Sequence, residues 1–225
     1  MINGIDIWEI SFNEDINLMK SYTCLNDEEQ NKAQRFLKKE DKDAYLLTHI
    51  ALRKILTHYE PSIKEDDWKF DTNDFSKPRI ADSFNSDIHF NLSHTSSCAY
   101  IILTLYKEVG IDVEEIKPID LSDELLELAL CTNELLHVKK SEDTLKLFYR
   151  YWTLKEAHLK ALGVGLSTEP SGLDFHKWIE KDSFRIGKDC YWISEVESDL
   201  MMSYTVLDAS DKIMRNFFTI NSLDI

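Results

Sequence analysis

The chain has 225 residues, 43% of them hydrophobic and 11% aromatic, with six Gly and four Pro, which is the composition of a folded protein of one large domain or two small lobes. Its formal net charge of −15 excludes a nucleic-acid binder, because affinity for a phosphate backbone needs a basic face. The opening MINGIDIWEISFNED lacks the basic start and apolar run of a signal peptide, and no stretch of about 18 apolar residues suggests a membrane span. A cytoplasmic protein with no membrane partner is expected.

Ile5, Ile7 and Trp8 begin a short strand, and Asn26 or Asp27 stands as the N-cap of a helix reaching Phe36. Ala44, Leu47, Ala51 and Ile55 recur at helical spacing, predicting a helix over 41–59 that Pro61 ends. Strands are expected at 68–70, 88–92, 98–106 and 109–114, where β-branched, aromatic and aliphatic residues gather. Helical pattern returns over 122–130, 133–139 and 144–162, followed by strands near 184–186, 191–196, 202–207 and 216–220. Each half therefore reads as helices on a small antiparallel sheet, an α+β architecture divided near Lys107, with lobes at 1–107 and 108–225. Cys24, Cys98, Cys131 and Cys190 are far apart and lack zinc-site spacing, so reduced structural thiols are expected.

An acidic chain can hold an anionic ligand only where cations concentrate locally. Lys32, Arg35, Lys38, Lys39 and Lys42 form one such group, Lys77 and Arg79 a second, and Arg150, Lys155 and Lys160 a third.

Three segments carry chemistry. In Gly110-Ile111-Asp112-Val113-Glu114, strand alternation sends both carboxylates to one face, where their oxygens can meet on one hard cation; oxygen ligands favour Mg²⁺ over zinc. An acidic, solvent-facing strand end is the alternative. In Tyr151-Trp152-Thr153-Leu154-Lys155-Glu156-Ala157-His158-Leu159-Lys160, Glu156 projects beside the stripe of Phe148, Trp152, Leu159 and Gly163, where a carboxylate needs a partner or a metal. A plain helical ion pair with Lys160 is the alternative there. The segment His89-Phe90-Asn91-Leu92-Ser93-His94-Thr95-Ser96 ends a strand in hydroxyl groups and an imidazole, donors that suit phosphate oxygens or an ordinary polar turn.

Together these pieces, with Arg35-Phe36, Lys39-Glu40-Asp41, Leu52-Arg53, Ser76-Lys77-Pro78 and Gly163-Val164-Gly165-Leu166, resemble the 4′-phosphopantetheinyl transferases of the two-lobed, surfactin-synthetase-activating (Sfp) type. The resemblance covers most of the chain. It implies two similar pseudo-symmetric lobes, Mg²⁺ as cofactor and coenzyme A as co-substrate. It also implies transfer of the 4′-phosphopantetheine arm to a serine of an acyl, peptidyl or aryl carrier protein domain by a monomeric enzyme, releasing adenosine 3′,5′-bisphosphate. A coenzyme A- or carrier-binding protein without catalysis and a Mg²⁺-dependent phosphate-ester hydrolase are the other readings.

Residue by residue, the resemblance places Asp112, Glu114 and Glu156 on the metal, with Glu156, Lys160 and His94 as catalytic groups. Lys32, Lys77, Pro78, Ser93, His94, Lys155 and Lys160 are expected at coenzyme A. Ala44 and Thr48 stand where many members carry Arg and Gly, a departure at the grip on the 3′-phosphate. The resemblance also implies carrier docking on 116–130, where Leu121, Leu125 and Leu128 recur at helical spacing and Leu126 and Leu130 extend the apolar surface; a wholly buried helix is the alternative.

Overall fold

The computed structural model describes residues 2, 4–12, 22–75, 77–197, 199–209 and 213–221; Ser76 lies outside the described residues. The chain forms two compact units. The first takes the chain up to Asp71, then Arg79–Leu105 and the last strand; the second takes Thr72–Pro78 and the chain from Tyr106 to the start of that strand. The expected division at 107 therefore needs two corrections. The strand near 216–220 belongs to the first unit rather than the second, and the segment containing Lys77 belongs to the second rather than the first.

In the first unit, β1 (Ile5–Ser11) is followed by α1 (Asp27–Ala33) and α2 (Lys39–Tyr59). The short pair β2 (Phe70–Thr72) and β3 (Pro78–Ile80) precedes β4 (Ile88–His94) and β5 (Cys98–Leu105). Asn26 and Glu29 form a reciprocal capping box at the start of α1, Asn26 Oδ1 accepting from the Glu29 amide at 2.9 Å and Glu29 Oε2 from the Asn26 amide at 3.0 Å. That helix ends at Ala33, short of the expected Phe36, whose ring packs against Tyr45 instead. The apolar face of α2, with Ala51, Leu52, Ile55 and Leu56, shares one core with Ile10, Phe90, Ile101 and Leu103.

The second unit contains β6 (Val109–Glu115), α3 (Asp123–Ala129), α4 (Thr132–Lys140), α5 (Thr144–Leu162), β7 (Ser183–Ile186), β8 (Asp189–Glu197) and β9 (Leu200–Val206). Its sheet runs β6-β9-β8-β7 and is antiparallel throughout. The first unit's sheet runs β10-β1-β5-β4, where β10 is Arg215–Asn221. It departs from the expected antiparallel form, because β10 pairs parallel with β1, Ile5 opposite Arg215 through Ser11 opposite Asn221. No local pattern in 216–220 could announce a partner at the other end of the chain.

The predicted helix over 144–162 is α5. Asp143 caps it by accepting from the Lys146 amide at 3.1 Å, and Gly163 closes it at φ 67°, a left-handed conformation that favours glycine. Phe148, Tyr151 and Leu154 pack it into a core with Leu126, Val138, Tyr191, Ile193 and Met201. Burial of each such side chain contributes roughly 1.5–3 kcal/mol.

Candidate active site

The site begins with a missing side chain. A Cβ built on Gly110 would lie 2.0 Å from the Ala157 carbonyl oxygen and 2.4 Å from the Ala161 amide nitrogen, so α5 rests directly on β6 at that residue. Alternation then turns Asp112 and Glu114, two and four residues on, to the same face of β6 as Gly110. On the helix, Trp152, Glu156 and Lys160 follow one another a turn apart. Four helical residues rise about 6 Å, close to the roughly 6–7 Å of two strand residues, so the two rows run past each other in step. Lys160 Nζ donates to Asp112 Oδ1 at 2.6 Å, and Trp152 lies by Glu114, whose carboxyl its indole N–H helps to hold down. Thr153 and Ser203 hydroxyls, 2.8 Å apart and buried, fix the helix to β9.

The electrostatics are those of too many carboxylates for one ammonium. Burial and then the charge of Asp112 push the Glu114 carboxyl up to about 7, Glu156 adding to the push while Trp152 and Lys160 partly offset it. Burial, and after it Asp112, raise Glu156 as well, with Lys160 again opposing. Glu156 Oε1 is buried without a hydrogen-bond partner among the described residues. Such an oxygen costs free energy unless a cation or donor comes to it. The residues therefore fit a hard divalent cation: three oxygen donors, an excess of negative charge and one buried acceptor lacking a partner.

A tighter grouping exists elsewhere. Among the described residues, only Cys131, Glu134 and Asp174 have three ligand atoms all within 4.8 Å of one another. That group is a hydrogen-bonded hub instead of a metal site. Glu134 accepts from the Cys131 amide at 3.1 Å and the Phe175 amide at 2.8 Å and pairs with Lys155, while Asp174 accepts from Asn133 at 3.1 Å and the His176 amide at 2.9 Å.

Three expectations at the ligand-binding residues change. Lys155 is completely buried, donating to the carbonyls of Ala129 at 2.9 Å and Pro170 at 3.0 Å and paired with Glu134, so it is a core residue and does not reach coenzyme A. The Lys77 ammonium is occupied by Glu108 Oε2 at 2.6 Å and by the carbonyls of Ala161 at 3.0 Å and Val109 at 3.2 Å. Ser93 and His94 lie inside β4, which runs two residues past the expected 92, so as consecutive strand residues they point to opposite faces. The hydroxyl of Thr95 beyond them is spent on its own turn, accepting from the Ser97 amide at 3.2 Å and the Cys98 amide at 3.3 Å.

Pro78 opens β3 and is half-buried. Lys32 is exposed on α1, its ammonium 5.2 Å from the centre of the Tyr45 ring. Ala44 and Thr48 are buried in α2, where the Thr48 hydroxyl donates back to the Ala44 carbonyl at 2.6 Å. Lys32, Ser93 and His94 belong to the first unit, whereas Asp112, Glu114, Glu156 and Lys160 belong to the second. Gly110, Trp152 and Asn73 were not among the expected site residues. Trp152 could have been found on the helical wheel, one turn before Glu156.

Comparison with known proteins settles the family. A family model described as the 4′-phosphopantetheinyl transferase superfamily matches residues 108–205, and one described as 4′-phosphopantetheinyl transferase, N-terminal, matches residues 8–104. The chain belongs to the 4′-phosphopantetheinyl transferase superfamily. It is 31% identical to 4′-phosphopantetheinyl transferase HetI of Nostoc sp. over 167 residues, which are 72% of this chain and 70% of HetI. It is also 31% identical to 4′-phosphopantetheinyl transferase Sfp of Bacillus subtilis over 144 residues, 64% of this chain and 62% of Sfp. With 4′-phosphopantetheinyl transferase gsp of Aneurinibacillus migulanus it shares 32% over 145 residues, 63% of this chain and 56% of gsp. It thus spans less than two thirds of Sfp and of gsp. The solved Thermotoga maritima holo-[acyl-carrier-protein] synthase (AcpS) gives a partial likeness, with TM-score 0.34 and 19% identity over 46% of this chain and 64% of that one. No helix among the described residues is long and apolar enough to cross a membrane.

Proposed function

We propose that this phosphopantetheinyl transferase moves the 4′-phosphopantetheine arm of coenzyme A to a serine of an apo carrier protein. The observation that carries this reading is the stacking of α5 on β6 at Gly110, which sets Asp112 and Glu114 beside Glu156 and Lys160. In the reaction the serine Oγ forms a bond to the phosphorus bearing the pantetheine, and that phosphorus loses its bond to the bridging pyrophosphate oxygen. The serine proton goes to a base, and adenosine 3′,5′-bisphosphate leaves.

Asp112, Glu114 and Glu156 are the residues to hold Mg²⁺, which when bound supplies positive charge to the pyrophosphate oxygens. Glu156 is also our candidate to accept the serine proton, a role supported by the burial that raises its affinity for one. Lys160 keeps Asp112 oriented and carries the fixed positive charge of this cluster, which suits it to the charge that develops on the leaving group. Lys32 and His94 are proposed at the phosphates on the strength of their motifs, with Ser93 beside them on the other face of β4, and Pro78 at the nucleotide. The carrier is an acyl, peptidyl or aryl carrier domain, and the enzyme acts as a monomer.

Incubating the protein with coenzyme A, Mg²⁺ and an apo carrier tests this reading. Mass spectrometry of the carrier should show the added arm, with bisphosphate released in equal amount. Release without a carrier marks a hydrolase, and no release marks a binding protein; either outcome overturns the proposal.

A further inference from the structure

Lys77 sits where three pieces of the second unit meet, and its ammonium has one donor for each. It reaches the Val109 carbonyl at the start of β6, the Ala161 carbonyl in the last turn of α5, and Glu108. Its side chain is only 14% exposed. Asn73, at the other end of the same short segment, donates to the Gly163 carbonyl at 2.7 Å and accepts from the Lys77 and Phe75 amides. Gly163 admits this approach because it has no side chain: a Cβ there would lie 2.8 Å from Asn73 Nδ2 and 3.0 Å from Lys77 Cδ.

The last carbonyls of a helix have no partner within it. In α5 those of Leu159 and Lys160 are taken by the Gly163 amide, at 2.9 and 3.2 Å, and beyond that turn those of Ala161 and Gly163 are taken by Lys77 and Asn73. Asn73 and Lys77 thus cap the C-terminus of α5 from elsewhere in the chain. Ala161 and Val109 flank the contact at Gly110, so one ammonium ties the helix to the strand beside the point where their spacing is set.

We propose that Lys77 is a positioning residue: it fixes the register of α5 on β6 and thereby holds Glu156 and Lys160 against Asp112 and Glu114. Its ammonium does not serve as a ligand for coenzyme A. The carbonyls are the essential partners, because Glu108 is 50% exposed and an exposed ion pair adds little. The inference rests on the proposed function only for the identity of the ligands that the cluster receives.

The test compares Lys77→Met, Lys77→Arg and Glu108→Gln with the wild type in Mn²⁺ binding by electron paramagnetic resonance, coenzyme A binding by calorimetry without metal, and transfer kinetics. Lys77→Met is expected to weaken Mn²⁺ binding about tenfold and to lower kcat at saturating coenzyme A, by analogy with the loss from displacing catalytic groups by a fraction of an ångström. Lys77→Arg, which keeps donors for both carbonyls, should recover most of each loss, and Glu108→Gln should stay within about twofold of the wild type. Metal-free coenzyme A affinity should change little in all three. Lost coenzyme A affinity with unchanged Mn²⁺ binding overturns the proposal, as does unchanged Mn²⁺ binding in Lys77→Met alone. Should Lys77→Met not fold, Asn73→Ala removes the companion bond and leaves the ammonium, and must shift Mn²⁺ affinity in the same direction. Mn²⁺ binding is read without transfer, so an inactive wild type defeats the proposed function while this inference stands or falls separately.

Discussion

Lys155 and Glu134 form an ion pair with neither side chain exposed to solvent. One residue along the helix, Glu156 faces the opposite task, and the contrast explains why adjacent charged residues of one motif serve different purposes. Removing one partner of a buried pair leaves the other charged in a medium that cannot solvate it, at a cost of about 3–5 kcal/mol. Lys155→Met should therefore lower the unfolding midpoint sharply, and the double change with Glu134→Gln should recover part of the loss. Thermal unfolding followed by circular dichroism checks this, and calorimetry on the folded fraction should find coenzyme A affinity unchanged.

Asp112→Asn should reduce transfer about 100-fold or more while leaving the fold intact. The substitution keeps the shape of a buried side chain, but it removes the charge that faces Lys160. Near-normal turnover in a folded variant would remove Asp112 from the metal role.

The raised carboxyls make metal-free stability depend on pH. Glu114 binds its proton up to about pH 7 in the folded chain, whereas the unfolded group releases it near 4.5, and Glu156 is displaced in the same direction. Between those values the folded state holds more protons than the unfolded one, so stability falls as pH rises from about 4.5 to 7. Melting temperatures with chelator present should decline across this window, and the decline should be shallower in Glu114→Gln. Added Mg²⁺ should stabilise more at pH 7.5 than at pH 5, because protonated carboxylates bind metal poorly. A flat difference between wild type and Glu114→Gln across the window contradicts the assignment.

On the expected carrier-docking segment, Leu126 and Leu130 are buried, Leu121 and Leu125 are partly covered, and Leu128 is 58% exposed. Leu128→Asp should raise KM for the carrier several-fold and leave coenzyme A affinity unchanged. Steady-state kinetics at several salt concentrations provide the check, with wild-type carrier KM throughout as the contrary result.

Much of the second unit was legible in the sequence because its signals are local. The limits of α5, the shared face of Asp112 and Glu114 and the inward placement of Glu156 all follow from periodicity. What was not legible depended on contacts between distant segments. The use of Gly110 as the seat of α5 needs the helix to be laid across the strand, and nothing near residue 110 reports that. The motifs make Lys77 and Lys155 look ligand-binding because a lysine in a motif looks the same whether its ammonium meets a phosphate or three acceptors of its own chain. Only the acceptors distinguish the two, and they lie 15 to 84 residues away. The same holds for β10, whose pattern marks a strand without naming its sheet.

The pairing of β10 with β1 also sets an order of events during synthesis. The first unit begins with the first strand of the chain and gains its outer strand only when residues 215–221 have been made. The second unit lies wholly between these two strands in sequence, and can assemble its sheet earlier. Until the final strand arrives, one edge of β1 presents unsatisfied backbone donors and acceptors, the kind of edge that recruits a strand from a neighbouring chain. A nascent or truncated chain that stops short of β10 is thus exposed to aggregation through its N-terminal strand, although every residue of the carboxylate cluster is already present.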